Sequence, residues 1–193
     1  MKWILASLLA LMAIPSASQA AAPVFAITPA GSSITFHVKA SVPLEGRFEK
    51  WKGKLTFASP DVSTGVFDLK VDANSVDTGS GMKNGVLKSD KFFDVKNNPV
   101  ISFHSTKISQ TGPNTFAVAG NFMIRGVTKP QTLALTVSGV GGGSGAIKGT
   151  MVFDRKDYGM NSGIPLVKIA DHVEVTLDLN VKRVSGPPVA LKP

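Results

Sequence analysis

The chain has 193 residues, a formal charge of +8 and no cysteine. The length suggests one folded domain, and the lack of thiols excludes disulfides, thiolate metal sites and cysteine catalysis. The basic residues are scattered singly, without the basic helix or aromatic ladder of a nucleic-acid binder, so no nucleic-acid partner is expected; they read as a solvated surface, with attraction to anionic membrane as the lesser alternative.

The first twenty residues read as a leader. Lys2 supplies the positive start, Trp3 to Ile14 is an apolar run too short to span a bilayer, Pro15 breaks it, and Ser18-Gln19-Ala20 is a small-x-small cleavage pattern. Cleavage after Ala20 leaves 173 of the 193 residues and places them in the periplasm. The remainder, 21–193, is expected to be a single domain large enough to bury a core without staples.

That remainder alternates apolar and polar residues along eight runs. Ile34, Phe36 and Val38 come first, then Leu55 and Phe57, then Phe67, Leu69 and Val71, then Ile101 and Phe103. Phe116 to Ile124, Leu133 to Val137, Met151 with Phe153, and Val173 to Val181 follow. A period of two means half-buried strands with one dry face. Pro60-Asp61, Gly112-Pro113-Asn114, Gly126 to Pro130 and Gly139 to Gly145 supply turns. Eight antiparallel strands with short links suggest a closed up-and-down barrel, with a two-sheet sandwich as the alternative that periodicity does not exclude.

The interval Asn74 to Asn98 breaks the alternation. Ser75 to Thr78 offers capping side chains, and Met82, Val86 and Leu87 lie at helical spacing, so one short helix ending near Ser89 is expected, closing an end of the barrel or acting as a lid. Of Phe92 and Phe93, one is expected inward and one under the helix. The tail from Ser185 to Pro193, with three prolines, is expected to be loose.

Little in the chain can carry chemistry. His37 and His104 sit on strand faces opposite phenylalanines, no short-range ligand pair such as H-x-H occurs, and no nucleophile elbow, phosphate loop or dinucleotide fingerprint is present. Asp154 and Asp157 flank Arg155 and read as an ion-paired strand end rather than an acid–base pair. No catalytic residue, metal site or cofactor is expected. What stands out is 11 phenylalanines against one tyrosine, which fits either an ordinary packed core or an apolar tunnel.

Several short pieces, in order, resemble one family. They are Ser33-Ile34-Thr35-Phe36, Gly46-Arg47-Phe48-Glu49-Lys50-Trp51-Lys52-Gly53, Asn74-Ser75-Val76-Asp77-Thr78 and Leu87-Lys88-Ser89-Asp90-Lys91-Phe92-Phe93-Asp94. Pro99 to Thr106 follows, then Gly120-Asn121-Phe122-Met123-Ile124-Arg125-Gly126-Val127-Thr128-Lys129-Pro130, Asp154 to Met160 and Asp171 to Val175. From about Phe25 to Val184 the chain resembles the YceI-like periplasmic polyisoprenoid-binding proteins. The resemblance implies an all-β fold, an eight-stranded antiparallel lipocalin-like barrel with one short helix at its rim. It also implies a long isoprenoid lipid, such as an isoprenoid quinone, in the pore, and allows a homodimer. One departure stands at the rim helix, where many relatives carry Arg-Asp and this chain has Lys83-Asn84.

On this reading the pore wall is expected from Phe36, Val38, Phe48, Leu55, Phe57, Leu69, Phe92, Phe103, Phe122, Ile124, Leu135, Phe153 and Met160, although alternation alone leaves open which strand face is inner. Lys88, Arg125 and Tyr158 are candidates for meeting a polar headgroup at the mouth. The expected function is a lipid-holding module for transport, storage or sensing. Two other readings stand beside it: a basic envelope protein acting at an anionic membrane surface, and an enzyme acting on an isoprenoid lipid.

Overall fold

In the computed structural model, which describes residues 22–41, 44–139, 143–163 and 167–191, the chain forms one sheet closed on itself. Its strands in chain order are β1 (Val24–Ala40), β2 (Leu44–Phe48), β3 (Trp51–Thr56), β4 (Val66–Asp72), β5 (Val76–Asp77), β6 (Val100–Gly112), β7 (Thr115–Ile124), β8 (Val127–Ser138), β9 (Ser144–Asp154) and β10 (Ile169–Ser185), with helix α1 (Gly81–Lys88) between β5 and β6. The ten segments make eight strands. β2 and β3 are halves of one strand, since both pair with β1, and β5 continues β4 by pairing with β2 as β4 pairs with β3. The break at Glu49-Lys50 is stitched by Ser75, whose hydroxyl accepts from Lys50 N (3.0 Å) and whose carbonyl accepts from Glu49 N (3.2 Å).

Closure comes from β1 against β10, antiparallel from Val24–Ser185 to Ala40–Ile169. Between Thr28 and Ser33 the ladder skips, and the extra residues bulge outward at Pro29, which has no N–H to contribute, and Gly31, with φ of +73°. Asn180 secures the bulge by donating from its backbone to Ser32 Oγ (2.8 Å) and from its amide to Gly31 O (2.9 Å).

The chain thus realises the barrel, with the expected eight apolar runs in order and their apolar residues turned inward. Ile34, Phe36, Val38, Phe67, Leu69, Phe103, Phe122, Leu133, Phe153 and Leu177 are all buried. Two inward glycines make room for them. Gly149 lies opposite both Leu135 and Leu177, and a Cβ there would come within 2.5 Å of a Leu135 methyl. A Cβ at Gly120 would meet His104 O at 2.5 Å and the Phe103 ring at 2.6 Å.

Several expectations are corrected in detail. The turn expected over Gly126 to Pro130 is only Arg125-Gly126, both with positive φ (53° and 73°), the twist a two-residue hairpin needs; β8 begins at Val127 and takes Pro130 into the sheet opposite Asn121. Pro130 is tolerated because the β8–β9 ladder spans only Ala134–Thr150 to Ser138–Ala146, so no bond to β9 is lost there. The helix is capped not by Ser75 to Thr78, of which Ser75 closes a 3₁₀ turn and Val76-Asp77 form β5, but by Ser80; its end at Lys88, with Ser89 as C-cap, falls where expected. Phe92 and Phe93 are both buried against the barrel. The tail is not loose in its described part, where Ala190 N donates to Pro60 O (2.7 Å) and Leu191 packs on the core. The leader, Val140 to Gly142 within the glycine-rich turn, and the last two residues lie outside the described residues.

Gly120→Ala is expected to cost about 2 kcal/mol or more, because backbone and a packed ring must move, whereas Gly149→Ala, facing a rotatable leucine end, costs less. Urea denaturation of the two variants checks the order.

Candidate functional site

Alternation gives the barrel a dry interior, and the side chains do not fill it. Two cavities stand out among the described residues. The upper, of about 80 Å³, lies under α1 and the rim; the lower, of about 130 Å³, lies toward the β6–β7 hairpin and the tail. An apolar void of ~150 Å³ is enough to hold one benzene ring, so each takes only a fragment of a long chain as it stands.

Phe36, Phe48 and Phe93 pack together at the upper end, with ring centroids 5.7 to 6.4 Å apart. Phe93 is held by its N–H donating to Leu87 O (2.9 Å), which also binds the end of α1 to the segment behind it. Among the described residues lining the upper cavity only Ser102 and Arg155 are polar. The boundary between the cavities is marked by Phe103 above and Phe67 below, 6.3 Å apart, alongside fully buried Val118 and Leu133.

All thirteen residues expected in the wall line one of these two spaces. Phe36, Val38, Phe48, Leu69, Phe92, Phe103, Phe122, Ile124, Phe153 and Met160 face the upper cavity. Leu55, Phe57 and Leu135 face the lower one.

The three headgroup candidates are placed differently, outside the lining of either cavity. Tyr158 is fully buried in the wall, its ring between Phe122 (5.4 Å) and Phe153 (5.3 Å) and its hydroxyl accepting from Gln131 Nε2 (3.2 Å). Burial pushes its phenol above the ordinary value. It closes the wall where β8 and β9 part. Arg125 reaches across the rim, its guanidinium donating to Gly159 O and to Asp90 O (2.7 Å), so it ties the β7–β8 hairpin to the rim segments. Lys88 sits half-buried in the last turn of α1, where a cation suits the helix C-terminus.

The residue that sequence reasoning missed is Arg155. It was expected to pair with Asp154 and Asp157, but Asp154 caps the following 3₁₀ turn through Lys156 N (2.8 Å) and Asp157 pairs with Lys129 (3.1 Å). Arg155 instead turns inward, only 6% exposed, and donates to the carbonyls of Met160, Ser162 and Ala170 and to Asp171 Oδ1 (3.0 Å). Asp171 also accepts from Lys156 Nζ (2.8 Å); that contact first, then Arg155, holds its carboxyl below the usual range. The signal in the sequence was Asp171, 16 residues away and invisible to local spacing.

At the rim, Asn84 of the Lys83-Asn84 pair ties α1 to the end of β5. Asn84 Oδ1 accepts from Thr78 N (2.8 Å) and Thr78 Oγ1 (2.7 Å), and its amide donates to Asp77 (3.3 Å). Asp77 is held low chiefly by the N–H of Gly79, then by Asn84.

The histidines lie away from the interior. His104 meets Asp68 on the outer face (2.6 Å) and His37 and His172 are exposed. Among the described residues no three His, Asp or Glu side chains gather as metal ligands.

A closed eight-stranded barrel with an apolar interior is a binding-type fold. The match of residues 25–181 to the YceI-like domain makes the chain a member of that family. It is similar to a UPF0312 protein of Shewanella denitrificans, 33% identical over 82% of this chain and 87% of the relative, and to one of Vibrio vulnificus, 30% identical over 91% and 95%. Among solved structures it superposes on Burkholderia cenocepacia BcnA with a TM-score of 0.72 at 26% identity, covering 80% of this chain and 98% of that one. A Saccharophagus degradans domain described as polyisoprenoid-binding shares the fold at TM-score 0.66 and 17% identity, covering 83% and 99%.

Arg155→Met is expected to destabilise the protein by about 1–3 kcal/mol, since it leaves three carbonyls without a donor, while the partly exposed Asp171 keeps Lys156; chemical denaturation measures it. Asp171 has a lowered folded-state value, so its stabilisation is complete above the ordinary carboxylate range and lost as pH falls through the lowered value. The gap in melting temperature between the wild type and Asp171→Asn should therefore be wide at pH 7 and close below about pH 4, which a melting series against pH reads directly.

Proposed function

We propose that this protein is an exported carrier that holds a long prenyl chain, or a similar apolar lipid, inside the barrel. The observation that carries the reading is the upper cavity: a dry space bounded by phenylalanine, leucine, isoleucine and valine, under a short helix, in a fold shared with a domain described as polyisoprenoid-binding. Each buried CH₂ contributes ~0.8 kcal/mol, so a run of prenyl units offsets the cost of association without polar contacts. The cavities are small as they stand. A long chain joins them only if the Phe67 and Phe103 rings swing aside.

Binding rather than turnover is favoured by the lining. Among the described residues of the upper cavity the only ionisable group is Arg155, already committed to three carbonyls and a carboxylate, and acid–base work on a bound lipid needs a free acid or base within reach. The leader read from Lys2 to Ala20 would deliver the carrier to the periplasm, and a homodimer belongs to the same proposal.

A membrane-surface reading is favoured by one further observation. Met82 is 84% exposed on the rim helix, in a segment that carries Lys83, Lys88 and Lys91 against Asp90, so the rim end of the barrel carries an apolar tip in a net basic segment. Loading from an anionic bilayer would use that end. Co-sedimentation with vesicles containing anionic lipid should weaken on Met82→Asp and at high salt; equal binding by the variant removes the reading.

The carrier proposal is tested on protein purified without detergent from its native host. Mass spectrometry of an organic extract is expected to show a stoichiometric prenyl-chain lipid. Val175→Phe, which fills the upper cavity with carbon, should stay folded and lose that lipid at least tenfold, and Phe103→Arg should lose it wholly. A folded Val175→Phe that keeps its lipid, or a wild type that takes up neither prenyl nor acyl chains when offered them, would refute it.

A further inference from the structure

The tail is the part of the described chain that the barrel does not need. β10 ends at Ser185, and the family match ends at residue 181. Gly186 then turns the chain with φ of +79°, in a place where a Cβ would meet Ala22 O at 2.3 Å, and Arg183 donates to its carbonyl (3.1 Å). From there the tail crosses the lower end of the barrel to the Pro60-Asp61 turn. Ala190 donates to Pro60 O (2.7 Å) and forms an isolated parallel bridge with Asp61. Pro188, Val189 and Leu191 line the lower cavity together with Phe25, Phe57 and Val62.

The strands therefore supply the walls of the lower cavity and the tail supplies part of its floor. On the carrier reading a ligand enters at the opposite end, where Leu87 of α1, Phe92 and Met160 border the upper cavity. A linear chain admitted there with its apolar end leading passes the Phe67–Phe103 pair and meets Val189 and Leu191.

We infer that the tail, through Val189 and Leu191, is a stop that sets the longest chain the barrel accepts. The inference rests on the carrier reading, and its ligand class is a linear prenyl or acyl chain whose apolar end lies against the tail. Such a stop discriminates by sterics at one end, so it selects length and not headgroup. It is also separable from the fold, because its described attachment is a single isolated bridge at Ala190, with its bond to Pro60 O, and apolar contact, whereas β10 is held along its length by β1 and β9.

The test is a ladder of linear polyprenols from short to long, offered to the delipidated full chain and to a form ending at Gly186, with the retained lengths read by native mass spectrometry. The full chain is expected to show an upper limit. The shortened form should retain longer polyprenols, raising the ratio of long to short bound by tenfold or more. Leu191→Trp should shift the limit to shorter chains and Leu191→Ala to longer ones, and these two carry the test if the shortened form does not melt cooperatively. An unchanged length profile in folded variants, or a full chain without an upper limit, overturns the inference. A full chain that retains no polyprenol of any length removes the carrier reading itself, and with it the stop.

Discussion

The pairing of the first strand with the last is the contact on which the rest depends. β1 and β10 lie about 150 residues apart in sequence, yet their ladder runs nearly the whole length of both. Until it forms, the sheet has two long edges rich in valine and phenylalanine; once it forms, the edges disappear and every inward residue faces the same enclosed space. Closure at such separation carries a loop-closing entropy cost and makes folding wait for distant contacts, so the closing strands must be strongly specified. Their alternation of Ile34, Phe36 and Val38 against Leu177, Val175 and Val173 does that, because a slip of one residue would turn the whole stripe to water.

A closed barrel with a long, tilted sheet does not keep perfect ladders everywhere, and in the described chain several partings are mended by a side chain. Where β8 leaves β9, Tyr158 and Gln131 close the wall. Where β6 bulges at Ser105, that buried hydroxyl accepts from Phe67 N (2.8 Å), which has lost its place in the ladder. At the rim Arg125 and Arg155 do the same for backbone carbonyls of the loops, each as a multi-donor strut for which a planar guanidinium is suited. The polar groups of the upper barrel are thus spent on holding the walls and rim, and the described lining of the interior keeps only Ser102 and the fully engaged Arg155. That division explains why Arg125 and Tyr158 lie outside the cavity lining.

The strands were legible because they rest on local period-two patterning, the strongest short-range signal a β-protein has, whereas which face is inner had to come from the structure. The wall candidates followed from the same pattern, and Leu55, Phe57 and Leu135 differ only in facing the second cavity. What was not legible depended on contacts between segments far apart. Asp171, rather than its near neighbours, takes Arg155; Arg125 and Gly126 turn the chain so early that Pro130 falls inside a strand; and the tail, proline-rich and therefore expected to be loose, finds Pro60 some 130 residues upstream. The void itself was not legible either, since the same phenylalanines suit a solid core or a hollow one.

The void is the feature most in need of a physical reason. Unfilled apolar space costs stability, by about 24 cal/mol per Å³ in a rigid core, and larger side chains at Val38, Val71, Val173 or Val175 would fill it at no cost to the pattern. Gly149 and Gly120 accommodate packing where Leu135, Leu177 and Phe103 need it, so the interior is tightly fitted at its waist and open on either side. A chain whose waist is packed to contact while both ends stay hollow is arranged like a pore closed by its own side chains. An apolar ligand would supply the missing contacts and recover the packing energy that the empty barrel forgoes, so occupancy and stability should rise together.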